Sequence, residues 1–288
     1  GVEATLSGSL EQHGSKPLLD LRLVVPPVPC QKVLESLPPA LVPELRSFSL
    51  RGDFSADIKA KIDFNNPKDL TLGGRVNIYR CKVVSAPEWV SAERLMQPFI
   101  HEVEVAPDQV INLQVSPESE DYVPYAEISP MVTKALLTTE DGAFFRHRGF
   151  ITSQFRVALA RNLERGGFRL GASTISMQMV KNVLLGHEKT LSRKLQELVV
   201  VWYLEQKLTK ERILEIYLNV IEFGPGIYGI GAAARHYFGK PAAAISPLEA
   251  AFFATLLPSP KSRYLHYCKG ELSPKWDKYV RRVLKRMF

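Results

Sequence analysis

Between Thr139 and Gly149 the chain sets two carboxylates, Glu140 and Asp141, beside Phe144, Phe145, His147 and two arginines, Arg146 and Arg148. Glu140 follows the apolar run Met131, Val132, Ala135, Leu136, Leu137, and a carboxylate closing an apolar helix is one that burial can turn into a working base. Downstream, Thr174, Gln178 and Lys181 are spaced by four and three, so they share a helical face, with Asn182 close behind. Further on, Arg193 and Lys194 precede Glu197 by four and three residues, which puts two cations and one carboxylate on one side of a helix. Each group alone reads as a solvated helix face or a helix end. A base together with a cluster of cations suits a hydroxyl nucleophile displacing an anionic leaving group.

The elements that must position these residues follow from period and capping. Ser129 and Pro130 form an N-cap and first-turn pair for a helix ending near Glu140. A second helix is expected from Ser173 or Thr174 to about Leu185, a third from Thr190 or Ser192 to Lys207, and a fourth after Thr209 to about Val220. On the third, Leu195, Leu198, Val199 and Trp202 form an apolar stripe. Gly224-Pro225-Gly226 breaks the chain, Gly229 to Ala234 suits a closely packed helix, and Ser246-Pro247-Leu248-Glu249 is a capping-box signature. Few strands are expected after residue 120. Before it the period is two, clearest where Phe54, Ala56, Ile58, Ala60, Ile62 and Phe64 alternate with polar residues. Leu19 to Val25, Leu70 to Tyr79 and Val110 to Val115 read as further strands, and Leu34 to Leu45 as at most a short helix interrupted by prolines. Ala4 to Cys30 and Gly52 to Cys81 look loosely alike. The fold class is therefore α+β: a β-rich module over residues 1–118, then a mainly α-helical domain over residues 119–288, with 117–121 as linker.

At 288 residues the composition is that of a globular protein, which excludes disordered and collagen-like chains. The charge is uneven. Residues 1–118 hold 12 Lys and Arg against 15 Asp and Glu, a charge of −3, and residues 119–288 hold 25 against 15, a charge of +10. A basic half suggests an anionic partner, whether nucleic acid, acidic membrane surface or phosphorylated substrate. No run approaches the roughly 18 apolar residues of a membrane-spanning helix, and no signal peptide is visible. The abrupt start on a strand is what removal of an anchor or export signal would leave. Cys30, Cys81 and Cys268 lack metal-ligand spacing; Cys30 and Cys81 either pair in an oxidising compartment or stay as core thiols.

Four ordered motifs carry a resemblance: Glu140-Asp141-x-x-Phe144-x-x-His147-x-Gly149; Gly171-x-Ser173-Thr174-Ile175-x-x-Gln178-x-x-Lys181-Asn182; Arg193-Lys194-x-x-Glu197; and Ile213-Leu214-Glu215-x-Tyr217-Leu218-Asn219. They resemble the motifs of the peptidoglycan glycosyltransferase domain, the lysozyme-like glycosyltransferase family 51 domain of class A penicillin-binding proteins and monofunctional transglycosylases. Tyr237-Phe238-Gly239-Lys240, Glu249-Ala250-Ala251 and Leu257-Pro258-x-Pro260 extend it. The β-rich half lies outside it and is loosely similar to the strand repeats of AsmA-like envelope proteins.

The resemblance implies polymerisation of lipid II: a sugar 4-hydroxyl attacks the anomeric carbon of a polyprenyl-diphosphate-linked glycan, forming a β-1,4 bond with inversion. On this reading Glu140 and Glu197 are catalytic, Glu140 as general base. Asp141, His147, Ser173, Thr174, Gln178, Lys181, Asn182, Arg193 and Lys194 bind substrate, with Lys181, Arg193 and Lys194 stabilising the departing diphosphate. Glu197 either holds those cations or ligates a divalent metal, Mg or Mn, bridging the diphosphate; no organic cofactor is implied. Asp141 either orients Glu140 or caps a turn, His147 sits at the site's edge, and Ser173 and Thr174 serve as caps that also suit an anion. Glu215, Tyr217 and Asn219 read as framework.

Phe150 to Leu170, basic and amphipathic, matches the family's membrane-dipping segment. Partners implied are lipid II, the growing glycan strand, an anionic membrane surface and other envelope or cell-wall synthesis proteins, with no nucleic acid. The implied location is the outer, periplasmic face of the bacterial cytoplasmic membrane. With no transpeptidase domain in this chain, the activity expected is polymerisation alone. The rival readings are a lysozyme-like hydrolase with Glu140 as acid, and a catalytically silent membrane-surface scaffold.

Overall fold

The computed structural model describes residues 1–165, 173–185 and 190–288. In chain order its strands and α-helices are β1 (Thr5–His13), β2 (Lys16–Pro29), α1 (Cys30–Ser36), β3 (Ser49–Asp63), β4 (Thr71–Ser85), α2 (Ala92–Met96), β5 (Phe99–Ala106), β6 (Gln109–Val115), α3 (Pro130–Thr139) and α4 (Thr152–Arg165). They continue with α5 (Ile175–Val180), α6 (Leu191–Lys207), α7 (Lys210–Val220), β7 (Glu222–Gly224), β8 (Ile227–Tyr228), α8 (Ile230–Phe238), α9 (Pro247–Leu256), α10 (Pro260–Cys268) and α11 (Pro274–Met287). The α+β class is borne out. The chain packs as two units: one of residues 1–90, 150–173 and 188–203, the other of 91–149, 174–187 and 204–288. Packing joins elements wherever the chain returns, while period reports only the local backbone. A module boundary at 118/119 is therefore carried forward as a proposal.

The first unit is built on an antiparallel sheet of order β1-β2-β3-β4. Its register explains the alternating sequence: Leu19, Leu21 and Leu23 stand opposite Ile62, Ala60 and Ile58, so apolar side chains of neighbouring strands share one face. The loosely similar segments each contain a hairpin, β1–β2 and β3–β4. Gly52 has φ +102° where the β3 register shifts, and a Cβ there would collide with the Arg80 carbonyl, so this bulge requires glycine. Between the hairpins the prolines leave α1 and two single turns, Pro39–Leu41 and Pro43–Leu45, each starting on its proline, with Val42, Leu45 and Phe48 buried. The helix begins at Cys30, four residues before the expected Leu34, because Pro29 occupies the N-cap.

Cys30 and Cys81 form a disulfide across 51 positions. Closing a loop of that length restricts the unfolded chain by about 4 kcal/mol in the chain-entropy account. Replacing both cysteines by alanine is expected to lower the unit's Tm by roughly 15 °C, read by calorimetry; an unchanged Tm would show that the bridge is not formed.

The second unit is helical, with two small hairpins, β5–β6 and β7–β8; the latter occupies the expected break at Gly224 to Gly226. The capping box of Ser246 and Glu249 is formed at the head of α9. In α8 Gly231, Ala233 and Ala234 are buried, and Gly231 lies so close to the Asp121 carbonyl that a Cβ would overlap it. Phe223, Tyr237, Phe252 and Phe253 interlock edge to face, and Trp276 Nε1 donates to Thr255 Oγ1 at 2.8 Å. Among the described residues no helix is long and apolar enough to cross a membrane.

His101 on β5 is buried, and burial, with the Arg94 charge second, pushes its pKa down to about 4 from 6.5. The unfolded chain then binds the extra proton first, so His101 contributes no destabilisation above about pH 6.5, and stability falls as pH drops from there toward about 4. The shift corresponds to about 3 kcal/mol. Urea titrations at pH 7 and pH 4.5 are expected to show a fall that His101→Gln largely removes, whereas equal falls in both proteins would exclude His101 as the source.

Candidate active site

In the second unit the local sequence sets the position of Glu140. Ser129 Oγ accepts the Met131 N–H and donates to the Ile245 carbonyl at 2.8 Å, fixing the start of α3. The helix runs its expected length, and Glu140 is its C-cap, its N–H donating to the Leu136 carbonyl at 2.8 Å. The half-buried carboxylate accepts from Gln178 Nε2 at 2.9 Å. Gln178 Oε1 in turn accepts from the Tyr217 hydroxyl at 2.9 Å. Tyr217 is buried, and burial first, then the Glu140 charge, hold its phenol well above its ordinary pKa, so it stays a donor. This orients the Gln178 amide, NH₂ toward Glu140. Tyr217, read from sequence as framework, thus sits one hydrogen bond from the candidate base.

Asp141 points elsewhere. It is 3 % exposed, its Oδ2 lies 2.9 Å from His147 Nε2, and the same atom accepts the Ile175 N–H at 3.2 Å. It ties the following turn to the first residue of α5, where a carboxylate also meets the positive end of a helix. His147 Nδ1 is buried without a hydrogen-bond partner among the described residues. Thr174, not Ser173, caps α5: its Oγ1 accepts the Met177 N–H at 3.2 Å and donates to the Gly149 carbonyl. Gly149 has φ +91°, a conformation that favours glycine. The structure thus brings Glu140, Asp141, His147, Thr174 and Gln178 together.

The expected second helix is α-helical only to Val180; Lys181 to Leu185 form a π-helical turn. Half-buried Lys181 and Asn182 therefore leave the strict face read from a 3.6 period. Gly171 of the second motif, and residues 166–170 of the expected membrane-dipping segment, lie outside the described residues. Within that segment α4 exposes Arg156, Val157 and Arg161.

In the first unit, α6 carries the cation group. Glu197 is 1 % exposed; Arg193 Nη1 approaches its Oε2 at 2.7 Å and Lys194 Nζ its Oε1 at 2.6 Å. Lys194 Nζ also donates to Ser173 Oγ at 3.2 Å. The buried face of α6 differs from the expected stripe: Gln196, Glu197, Val200, Val201 and Leu204 are buried, while Leu195, Leu198, Val199 and Trp202 are only partly covered. A carboxylate goes inward because its two cations go with it. Both Glu197 oxygens are engaged, and among the described residues no group of three or more His, Cys, Asp or Glu is placed to hold a metal. Whether Glu197 also ligates a divalent metal bridging the diphosphate is carried forward as a proposal, and no chemical step is assigned to a metal.

Glu215 and Asn219 are framework, as expected. Glu215 accepts from the Tyr122 hydroxyl at 2.8 Å and the Tyr125 N–H at 2.7 Å, and Asn219 both accepts from and donates to the Val123 backbone. Sequence reasoning missed Glu205, Ser176 and Lys210, whose side chains meet in the interior. The available signal was Glu205 itself, a carboxylate directly after Val199-Val200-Val201-Trp202-Tyr203-Leu204.

The family model described as "Transglycosylase" matches residues 108–288, more than half of the chain. Curated proteins described as "Biosynthetic peptidoglycan transglycosylase" are similar over 166 residues, 58 % of this chain. The one from Nitrosomonas eutropha is 44 % identical, with 66 % of its length covered. That from Nitrosospira multiformis is 42 % identical with 70 % covered, and that from Acinetobacter baumannii 40 % identical with 72 % covered. The chain spans about two thirds of the length of these relatives.

Proposed function

The chain belongs to the transglycosylase family, and from that premise we propose that it is a peptidoglycan glycosyltransferase that polymerises lipid II into glycan strands. In this reading Glu140 is the general base. It takes the proton of the acceptor's 4-hydroxyl as that oxygen attacks the anomeric carbon of the donor; the carbon–oxygen bond to the diphosphate breaks and the configuration inverts. A diphosphate is already a good leaving group, so it needs charge stabilisation more than protonation. Lys181, Arg193 and Lys194 are assigned that work, with the arginine suited to two-point phosphate contact. Glu197 is assigned to hold Arg193 and Lys194 ready. Ser173 and Asn182 are assigned to the sugar and phosphate groups, while Gln178 holds Glu140 and Thr174 caps α5.

The observation that carries the reading is the Tyr217–Gln178–Glu140 relay. It holds one carboxylate oxygen of Glu140 through a neutral amide that the Tyr217 hydroxyl fixes from behind. Asp141 and His147 act in this account by holding the turn after Glu140. A hydrolase would need two carboxyl groups flanking the bond, one of them serving as acid; Glu197, with both oxygens accepting from cations, is committed to holding those cations. The site of action is proposed to be the outer face of the cytoplasmic membrane, with α4 resting on anionic lipid.

Incubating the protein with labelled lipid II and with finished peptidoglycan tests the proposal. Long, lysozyme-sensitive polymer from the first is expected. Shortened strands from the second would make it a hydrolase, and neither product would leave a scaffold. A divalent-metal requirement that persists in Glu197→Gln would exclude Glu197 as a metal ligand.

A further inference from the structure

We propose that Lys210 is a positioning residue that holds the turn following Glu140 through its cation over the Phe144 ring. Lys210 opens α7, its side chain 13 % exposed. Its Nζ lies 2.6 Å from Glu205 Oε1 and 4.2 Å from the centroid of Phe144. The same Glu205 oxygen accepts from the Ser176 hydroxyl. Phe144 is 1 % exposed and packs edge to face on His147 at 6.1 Å. His147 is held by Asp141, which accepts the Ile175 N–H. Ser176 and Ile175 are neighbours on α5, so the contacts close a ring: α5 to Glu205, Lys210, Phe144, His147, Asp141 and back to α5. The ring encloses the turn from Asp141 to His147, which begins at the residue after Glu140. Gln178, which holds the Glu140 carboxylate, stands two residues beyond Ser176 on the same helix. The backbone behind the candidate base and the amide in front of it are thus referred to one helix, and Lys210 links the turn to the rest of the ring.

Stability alone does not account for this arrangement. An enclosed ion pair gives back in desolvation much of what it gains in attraction, and replacing both partners by apolar residues of similar volume is commonly neutral or stabilising. What an apolar replacement lacks is a directional hold on the face of the ring. Displacements of about 1 Å at a reacting group lower rates on the order of a hundredfold, so a loosened turn reads out in turnover before it reads out in folding.

The inference rests on Glu140 as the base, and its test is built to separate the two. The full chain is compared with Lys210→Met, Lys210→Arg and the double variant Glu205→Leu/Lys210→Met, in lipid II polymerisation and in amide hydrogen exchange of residues 141–147. In Lys210→Met and in the double variant kcat is expected to fall roughly tenfold to a hundredfold, with KM little changed. Lys210→Arg is expected to recover most of the loss, and the double variant to keep the parent's Tm. Exchange in the turn is expected to rise in both variants that lack the cation. A double variant of parental Tm with parental kcat, an arginine variant no better than the methionine one, or unchanged exchange in the turn overturns the proposal. The exchange result does so whatever the turnover. A parent protein without polymerase activity, or an active Glu140→Gln, would instead overturn the reading of Glu140.

Discussion

Glu140→Gln is expected to lower the polymerisation rate by at least a hundredfold while leaving folding and vesicle binding as in the parent protein. The magnitude is that of general-base catalysis, typically a hundredfold to ten-thousandfold. The substitution keeps the volume of the side chain and an oxygen able to accept from Gln178 Nε2, which now lies 2.9 Å from the carboxylate. Only the capacity to take up a proton is lost. Glu140 caps α3 through its backbone N–H, which any residue retains, so the helix end does not depend on the carboxylate. Measured turnover of labelled lipid II, with circular dichroism and vesicle co-sedimentation on the same preparation, reads all three properties. Retained turnover in the glutamine variant would remove Glu140 as the base.

Glu197→Gln is expected to be the second most damaging change, and it should act on both activity and stability. The carboxylate is the shared partner of Arg193 and Lys194, at 2.7 and 2.6 Å. Removing its charge leaves two neighbouring cations to repel one another. Breaking one side of an enclosed pair costs about 3–5 kcal/mol. Because the Arg193 and Lys194 side chains are 13 % and 27 % exposed, water screens part of this, and about 2–3 kcal/mol is the expected loss. Turnover should fall by two orders of magnitude or more, as for loss of a preorganised electrostatic group. Denaturant titration and polymerisation assays of one preparation separate the effects. A variant that is destabilised yet fully active would assign Glu197 to the fold alone.

The two carboxylates at the end of α3 illustrate how differently neighbours in sequence can be used. Glu140 is half-buried, with Gln178 on one oxygen; Asp141 is almost fully enclosed and spends its oxygens on His147 and the Ile175 N–H. One residue of advance turns the side chain by a large angle around the helix end, so the first is available for chemistry and the second for holding the turn.

What the sequence determined by itself is what forms within a few residues. The caps at Ser129, Thr174, Thr209 and Ser246 are bonds from a side chain to a backbone group two or three positions on, and they need no distant partner. The period-two strands, the turns that start on prolines and the placing of Glu140 at the end of α3 are local in the same sense. The spacing of Arg193, Lys194 and Glu197 was legible because one helix turn brings them together.

Only the tertiary structure decided which atoms from distant parts of the chain meet. Gln178 could have bonded a sugar or a backbone group; the approach of α7 gives it Tyr217, 39 positions away. The Cys30–Cys81 pairing, the ring through Glu205 and Lys210, and the inward turn of the charged face of α6 have the same origin. An apolar count along α6 favours Leu195, Leu198, Val199 and Trp202, but a helix buries the face whose polar groups find partners. That partner set is a property of packing between segments, which no period within one segment encodes.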